Sequence, residues 1–299
     1  MNYRHGYHAG NFADVMKHAV LARIMTHLRS KAAAFRVIET HAGPGLYDLA
    51  GAEAAKTGEW REGIARLSKA ALPPAVADLF APYLDTVAAY NPDSREDLCA
   101  YPGSPLLIQA WLRPVDRAVL CEMHPEAAAT LAGHLRRDNR IKAVHLDGWT
   151  ALNAFLPPPE RRGLVVIDPP YEAADEFARL AAALIKARRK WETGVFMAWY
   201  PIKDRKGPSL LMKQMLAAKI PKILVAEIAR DGAAVPSPRT KAPGVGAPAG
   251  GLGGSGLLII NPPWQLDRDL AAMLPALCTT LSAGPWRSNV DWIARDIVN

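Results

Sequence analysis

Cysteine is scarce. Three residues, Cys99, Cys121 and Cys278, lie far apart in 299. They form neither an even disulfide set nor a metal-ligand spacing, and they point to a reducing cytoplasm. Long apolar runs are also missing, and nothing in the sequence suits a bilayer-spanning helix of about 20 residues. The first ten residues are polar and His-rich, without a signal-peptide core. His5, His8 and His18 match no common zinc spacing, so no metal is expected. Gly43-Pro44-Gly45 follows a strand-like segment, but no further glycine marks the start of a following helix. The nicotinamide fingerprint is therefore incomplete, and a dehydrogenase fits poorly.

What is present is enough for one large α/β domain with an insertion: 50% of the residues are hydrophobic. A net charge of +7 favours a polyanionic partner without requiring one. The most informative stretch is Val165-Val166-Ile167-Asp168-Pro169-Pro170-Tyr171. Its β-branched run reads as a buried strand. The two prolines end the strand, because each fixes φ and lacks a ladder donor. A carboxylate, a proline carbonyl and an aromatic face then stand at the edge where α/β sheets bind ligands. Together they suit a flat base with an exocyclic amine.

Strands are expected at 35–39, 118–122, 143–146, 164–168, 194–201, 222–228 and 255–260. This is a Rossmann-like, mostly parallel seven-stranded sheet ending in an antiparallel pair. The first four strands end in Glu39, Glu122, Asp147 and Asp168, and Gly148 follows Asp147. Glu122 is either a ribose-holding carboxylate or an ordinary strand-end charge, but four acids on one edge suit a nucleoside ligand. Asn11 is expected to cap a helix, with Asp14 in its first turn and Lys17 and His18 about one turn further on. Lys17 and His18 dock beside a ligand or are ordinary polar residues. Ser104 and Pro105 read as the cap and first residue of another helix.

Residues 49–98 contain apolar spacing for helices and no strand, so they read as a helical insertion. The core is then 1–48 with 99–299, and 1–18 is a distinct N-terminal segment. The stretch 231–256 is rich in Gly, Pro and Ala and reads as a loop. Lys203, Arg205 and Lys206 follow the fifth strand and could neutralise phosphates. Asn261-Pro262-Pro263-Trp264 repeats the acceptor-Pro-Pro-aromatic chemistry. Too little chain follows it to complete a sheet, so Asp168 is the better catalytic position.

Acceptor-Pro-Pro-aromatic after a strand resembles the motif of S-adenosylmethionine-dependent amino-methyltransferases. Tyr3-Arg4-His5 through Lys17-His18, Thr40-His41-Ala42-Gly43-x-Gly45, Tyr101-Pro102-Gly103-Ser104-Pro105 and Asp168-Pro169-Pro170-Tyr171 together resemble one family. That family is the bacterial 23S ribosomal RNA adenine-N6 methyltransferases of the RlmJ type. The resemblance spans essentially the whole chain. It implies a class I methyltransferase fold and S-adenosylmethionine contacts at His18, His41, Ser104, Glu122, Asp147, Gly148 and Asp168. It further implies a catalytic set of Asp168, Pro169, Pro170 and Tyr171, with Tyr3 and Lys17 on the RNA side. The implied partner is 23S ribosomal RNA, free or early in assembly, and the implied protein is a cytoplasmic monomer. Where the family's first motif usually begins with Asp, this chain has Glu39, which is left out of the expected site. A DNA adenine methyltransferase and a non-catalytic RNA-binding protein are the alternatives.

Overall fold

The computed structural model describes residues 5–92, 98–230, 252–281 and 284–295. Tyr3 and most of the expected 231–256 loop lie outside these residues. A 3-10 turn (His5–Tyr7) precedes helix α1 (Phe12–Arg29), which is followed by β1 (Arg36–Glu39) and β2 (Leu46–Asp48). Four helices follow: α2 (Ala52–Thr57), α3 (Glu59–Glu62), α4 (Ile64–Ser68) and α5 (Pro74–Ala89). Next come β3 (Ala100–Pro102), α6 (Ser104–Trp111), β4 (Arg117–Glu122), α7 (Pro125–Leu135), β5 (Ile141–His145) and α8 (Gly148–Ala154). The last part holds β6 (Gly163–Ile167), α9 (Glu176–Lys190), β7 (Val195–Ile202), α10 (Lys206–Ala217), β8 (Ile223–Arg230), β9 (Gly254–Ile260), α11 (Leu266–Thr280) and β10 (Trp286–Ala294).

The main sheet has eight strands in the order β10-β8-β9-β7-β6-β1-β4-β5. β1 pairs in parallel with β4 and β6, β4 with β5, and β6 with β7. β9 runs antiparallel between β7 and β8, and β10 runs antiparallel beside β8. The eighth strand corrects the expected seven. In Trp286-Arg287-Ser288-Asn289-Val290-Asp291-Trp292 the three apolar residues share one face and Arg287, Asn289 and Asp291 share the other, as in a half-buried edge strand. Only Trp286, Val290 and Trp292 pack onto the core from that run.

Period-two alternation divides the core. Val37, Leu164, Val166, Leu257 and Ile259 face α1, α5, α6, α7 and α11. Ile38, Val165, Ile167, Leu258 and Ile260 face α9 and α10. All five residues of β6 are buried, as its unbroken apolar run requires. Helices α2 to α5 leave and rejoin the core through the antiparallel β2–β3 pair, where Leu46 faces Pro102. Trp60, Ile64, Phe80 and Tyr83 from these helices join the same core as α1. The Asn91 side chain closes the excursion by bonding Val87, Cys99 and Ala100 backbone groups.

Asn11 caps α1 as expected, accepting from the backbone N–H groups of Ala13 and Asp14. The cap of α6 is Gly103, one residue before the expected Ser104. A Cβ on Gly103 would come within 3.0 Å of the Tyr47 ring, so that position has no room for a capping side chain.

Candidate active site

The parallel strands β1, β4, β5 and β6 end on one edge, and the loops that follow them build the site. After β1, the Ala42 N–H donates to the Cys121 carbonyl at 2.9 Å. This draws the glycine turn against the end of β4. Gly43 has a φ of +67°, and a Cβ there would sit 2.6 Å from the Tyr47 hydroxyl. The turn therefore depends on glycine for both conformation and space. Its N–H donates to Glu122 Oε2 at 2.7 Å, and the His124 N–H donates to Oε1 at 2.7 Å. Two backbone donors fix this buried carboxylate, and an ionised carboxylate has about four acceptor positions, so about two are left for a ligand.

Asp147 caps α8, its Oδ2 accepting from the Thr150 N–H at 2.8 Å and the Thr150 hydroxyl at 2.9 Å. A Cβ on Gly148 would fall 2.4 Å from the Thr40 carbonyl and 2.8 Å from the His41 ring. The start of α8 is thus packed directly on the glycine turn. His41 Nδ1 contacts the Thr40 hydroxyl at 2.7 Å, its ring lies edge-on to Trp149, and burial lowers its pKa.

On α1, Lys17 is 4% exposed. Its ammonium meets Asp14 Oδ1 at 2.9 Å and also pairs with Asp168. Burial opposes this charge, but the two carboxylates outweigh it and raise the Lys17 pKa. Asp14 also accepts from His5 at 2.9 Å and from the Gly10 N–H at 3.0 Å. Despite its burial, these partners hold its carboxyl well below the usual range. His18 Nδ1 lies 2.6 Å from the Tyr101 hydroxyl, which is 2.8 Å from that of Tyr83. Burial drives the His18 pKa down to about 3, leaving a neutral ring, and its buried Nε2 has no partner among the described residues.

Past β6, Tyr171 adopts a left-handed φ of 52°. Such a conformation costs about 1–3 kcal/mol in a non-glycine residue and needs surrounding contacts to hold it. Its hydroxyl donates to the Trp199 carbonyl at 2.9 Å, and its ring packs on Phe177 and Trp199 with centroids 4.8 and 5.6 Å away. Trp199 is itself tied by its indole N–H to the Ser255 hydroxyl at 2.9 Å.

A cavity of about 1090 Å³ joins these parts, its wall including Gly43, Glu122, Ser104, His18, Lys17, His41 and Asp168 to Tyr171. Single-ligand pockets typically hold about 300–1,000 Å³, so there is room for a nucleoside cofactor and part of a second ligand. Asp147 and Gly148 stand behind the glycine turn and are not part of this wall. The turn that a Cβ would fill and the part-satisfied Glu122 both fit S-adenosylmethionine.

One sequence reading changes here, and one is reinforced. Arg205 does not face a phosphate site: it makes a two-pronged contact with Glu227, at 2.8 Å on each oxygen. Asn261 follows an antiparallel strand, so it lies on the opposite edge of the sheet from Asp168. There its amide donates to the Glu192 and Gly194 carbonyls at 2.9 and 2.8 Å. Asp14 and Tyr101 carry more than the sequence suggested, because their partners meet them only in the fold.

Counted in chain order from β1 and skipping the β2–β3 pair, the sheet runs 3-2-1-4-5-7-6-8 with the seventh strand antiparallel. With a glycine turn after the first strand and acids at the strand ends, this is the fold of a class I methyltransferase, the class that uses S-adenosylmethionine. A family model described as "Ribosomal RNA large subunit methyltransferase D, RlmJ" matches residues 32–294. The chain is 35% identical to "Ribosomal RNA large subunit methyltransferase J" of Escherichia coli (strain K12), over 98% of this chain and 99% of that one. It is 37% identical to the Haemophilus influenzae protein of the same name, again over 98% and 99%. A crystal structure from Legionella pneumophila superposes with a TM-score of 0.81 at 32% identity, covering 95% of this chain and 98% of that one. The chain belongs to the RlmJ family of ribosomal RNA large subunit methyltransferases.

Proposed function

We propose that this chain methylates the N6 amine of one adenine in 23S ribosomal RNA, with Asp168, Pro169, Pro170 and Tyr171 as the catalytic set. The observation that carries this reading is the convergence of Asp168 and Tyr171 with Glu122 and the Gly43 turn on one cavity. S-adenosylmethionine supplies the methyl group. Glu122 would hold its ribose hydroxyls on the acceptor positions that the backbone leaves open. His18, His41 and Ser104 would complete the cofactor contacts, while Asp147 and Gly148, expected among them, stand outside the cavity wall and brace the glycine turn.

An adenine amine is a weak nucleophile because its lone pair is delocalised into the ring. The Asp168 carboxylate and the Pro169 carbonyl accept its two N–H bonds, turning the lone pair toward the methyl group. Pro170 stiffens the turn, and Tyr171 stacks on the base. The transfer is in line, and alignment supplies most of the acceleration. Negative charge on Asp168 supports the developing cation, and Asp168 or a neighbouring water takes the released proton. Lys17, expected on the RNA side, is buried between Asp14 and Asp168, and we assign it instead to holding the Asp168 carboxylate in place. The target base leaves its stack to reach this edge, which RNA loops and bulges allow at low cost.

Tyr3 we assign to the RNA side, and residues 49–98 to a helical subdomain that grips the same RNA. The substrate we assign is free or early-assembly RNA, bound by a monomer in the cytoplasm. Tritiated methyl transfer to naked 23S RNA and to duplex DNA tests the reading. RNA should be labelled, and Asp168→Ala should lower the rate by about 10²-fold or more, the scale for losing a group that stabilises transition-state charge. Wild-type turnover in that variant, or labelling of DNA alone, would sink it.

A further inference from the structure

The cavity does not end at Tyr171. Its wall continues through Trp199, Pro201, Lys203, Arg230 and Trp286. The strand register sets the spacing of this extension. Ile202 is level with Gly254 and Gly254 with Ala229, so Lys203 and Arg230 stand at the same height, two strands apart. Two inter-strand steps place their backbones about 10 Å from each other.

Arg230 differs from the arginines that are tied up in ion pairs. Arg23, Arg36, Arg113, Arg140 and Arg205 each hold an Asp or Glu carboxylate. Arg230 is exposed and has no carboxylate partner among the described residues. Its guanidinium lies over the Trp286 ring, 5.3 Å from the centroid, and Trp286 packs on Phe12 with ring centroids 4.7 Å apart. A guanidinium resting over an indole loses less side-chain freedom on binding an anion. Lys203 is likewise exposed.

We propose that Arg230, braced by Trp286, and Lys203 form a backbone-phosphate site for the nucleotides flanking the target adenine. The inference rests on the RNA reading above and adds a substrate subsite to it. Phosphate contacts fix the register of a strand without reading its bases. Lys203 ends the strand next to β6 and Arg230 lies two strands further out, so both cations hold the strand on one side of the extruded base.

The test is steady-state methylation of a 23S RNA fragment by Arg230→Ala, Lys203→Ala and Arg230→Lys across a salt series. Arg230→Ala should raise KM for RNA about tenfold, with kcat and calorimetric affinity for S-adenosylmethionine unchanged. The plot of log(kcat/KM) against log salt should become shallower by roughly 0.7, the value for one single-strand phosphate contact. Lys203→Ala should show the same signature, and Arg230→Lys should keep the slope. Wild-type KM and slope in Arg230→Ala, with an active parent enzyme, would overturn the subsite and leave the proposed function standing. A parent that methylates no RNA would overturn both.

Discussion

Glu39 gives the most quantitative prediction. It closes β1, is fully buried, and neither carboxyl oxygen makes a well-formed hydrogen bond among the described residues. Burial is the main cause that pushes its pKa from 4.5 up to about 8; the nearby Ser104 hydroxyl and Lys17 pull the other way, and Asp168 and Glu122 add to the rise. In the fold this side chain is therefore a neutral acid at pH 7, whereas in the unfolded chain it ionises near 4.5. Between those two values unfolding releases a proton. The stability that protonated Glu39 contributes is complete below the lower value and is lost as pH rises through the upper one. Each pH unit in that window costs about 1.4 kcal/mol, so the whole window spans on the order of 5 kcal/mol as an upper bound. Glu39→Gln keeps the neutral shape and removes the titration. Urea unfolding of both proteins at pH 5, 6, 7 and 8 should give nearly equal stabilities at pH 5 and a gap that widens in favour of the variant. A gap that stays constant over the series would refute the buried neutral acid.

Tyr171 and Asn261, one beside each Pro-Pro pair, give two further expected outcomes. Tyr171→Phe removes the hydroxyl bond to the Trp199 carbonyl, and with it about 1 kcal/mol of restraint on a left-handed residue. It should lower kcat about fivefold with little change in KM for RNA, as single-turnover methylation would report; unchanged kcat would mean that the hydroxyl does not hold the ring. Asn261→Ala leaves two carbonyls without their donor and should destabilise the fold by about 1–3 kcal/mol in urea, with kcat at the wild-type value. Loss of kcat in that variant at full stability would bring the second Pro-Pro motif back as a catalytic candidate.

The layout of the sheet edge was legible because chemistry and periodicity agreed there. A short β-branched run stopped by Asp-Pro-Pro-Tyr reads as a strand buried on both faces, and β6 is one. The rivalry with Asn261 was settled from the sequence by the chain left over; the fold adds a stronger reason, strand direction, which composition does not encode. The eighth strand was missed because β10 is a half-polar edge whose pairing with β8 is decided by tertiary contact. The Lys17–Asp168 pair joins residues 151 positions apart, so nothing local announces it. Arg205 misled for the same reason: beside Lys203 and Lys206 it reads as a free cation, but Glu227 on β8 holds it.

The central claim is that this chain places a methyl group on N6 of an adenine in 23S ribosomal RNA. Mass-spectrometric mapping of methylated adenines in that RNA, from cells with and without the gene, tests it most directly. One N6-methyladenosine should vanish with the gene, return with the wild-type chain and stay absent with Asp168→Ala. An unchanged set of methylated adenines in cells lacking the gene would contradict it.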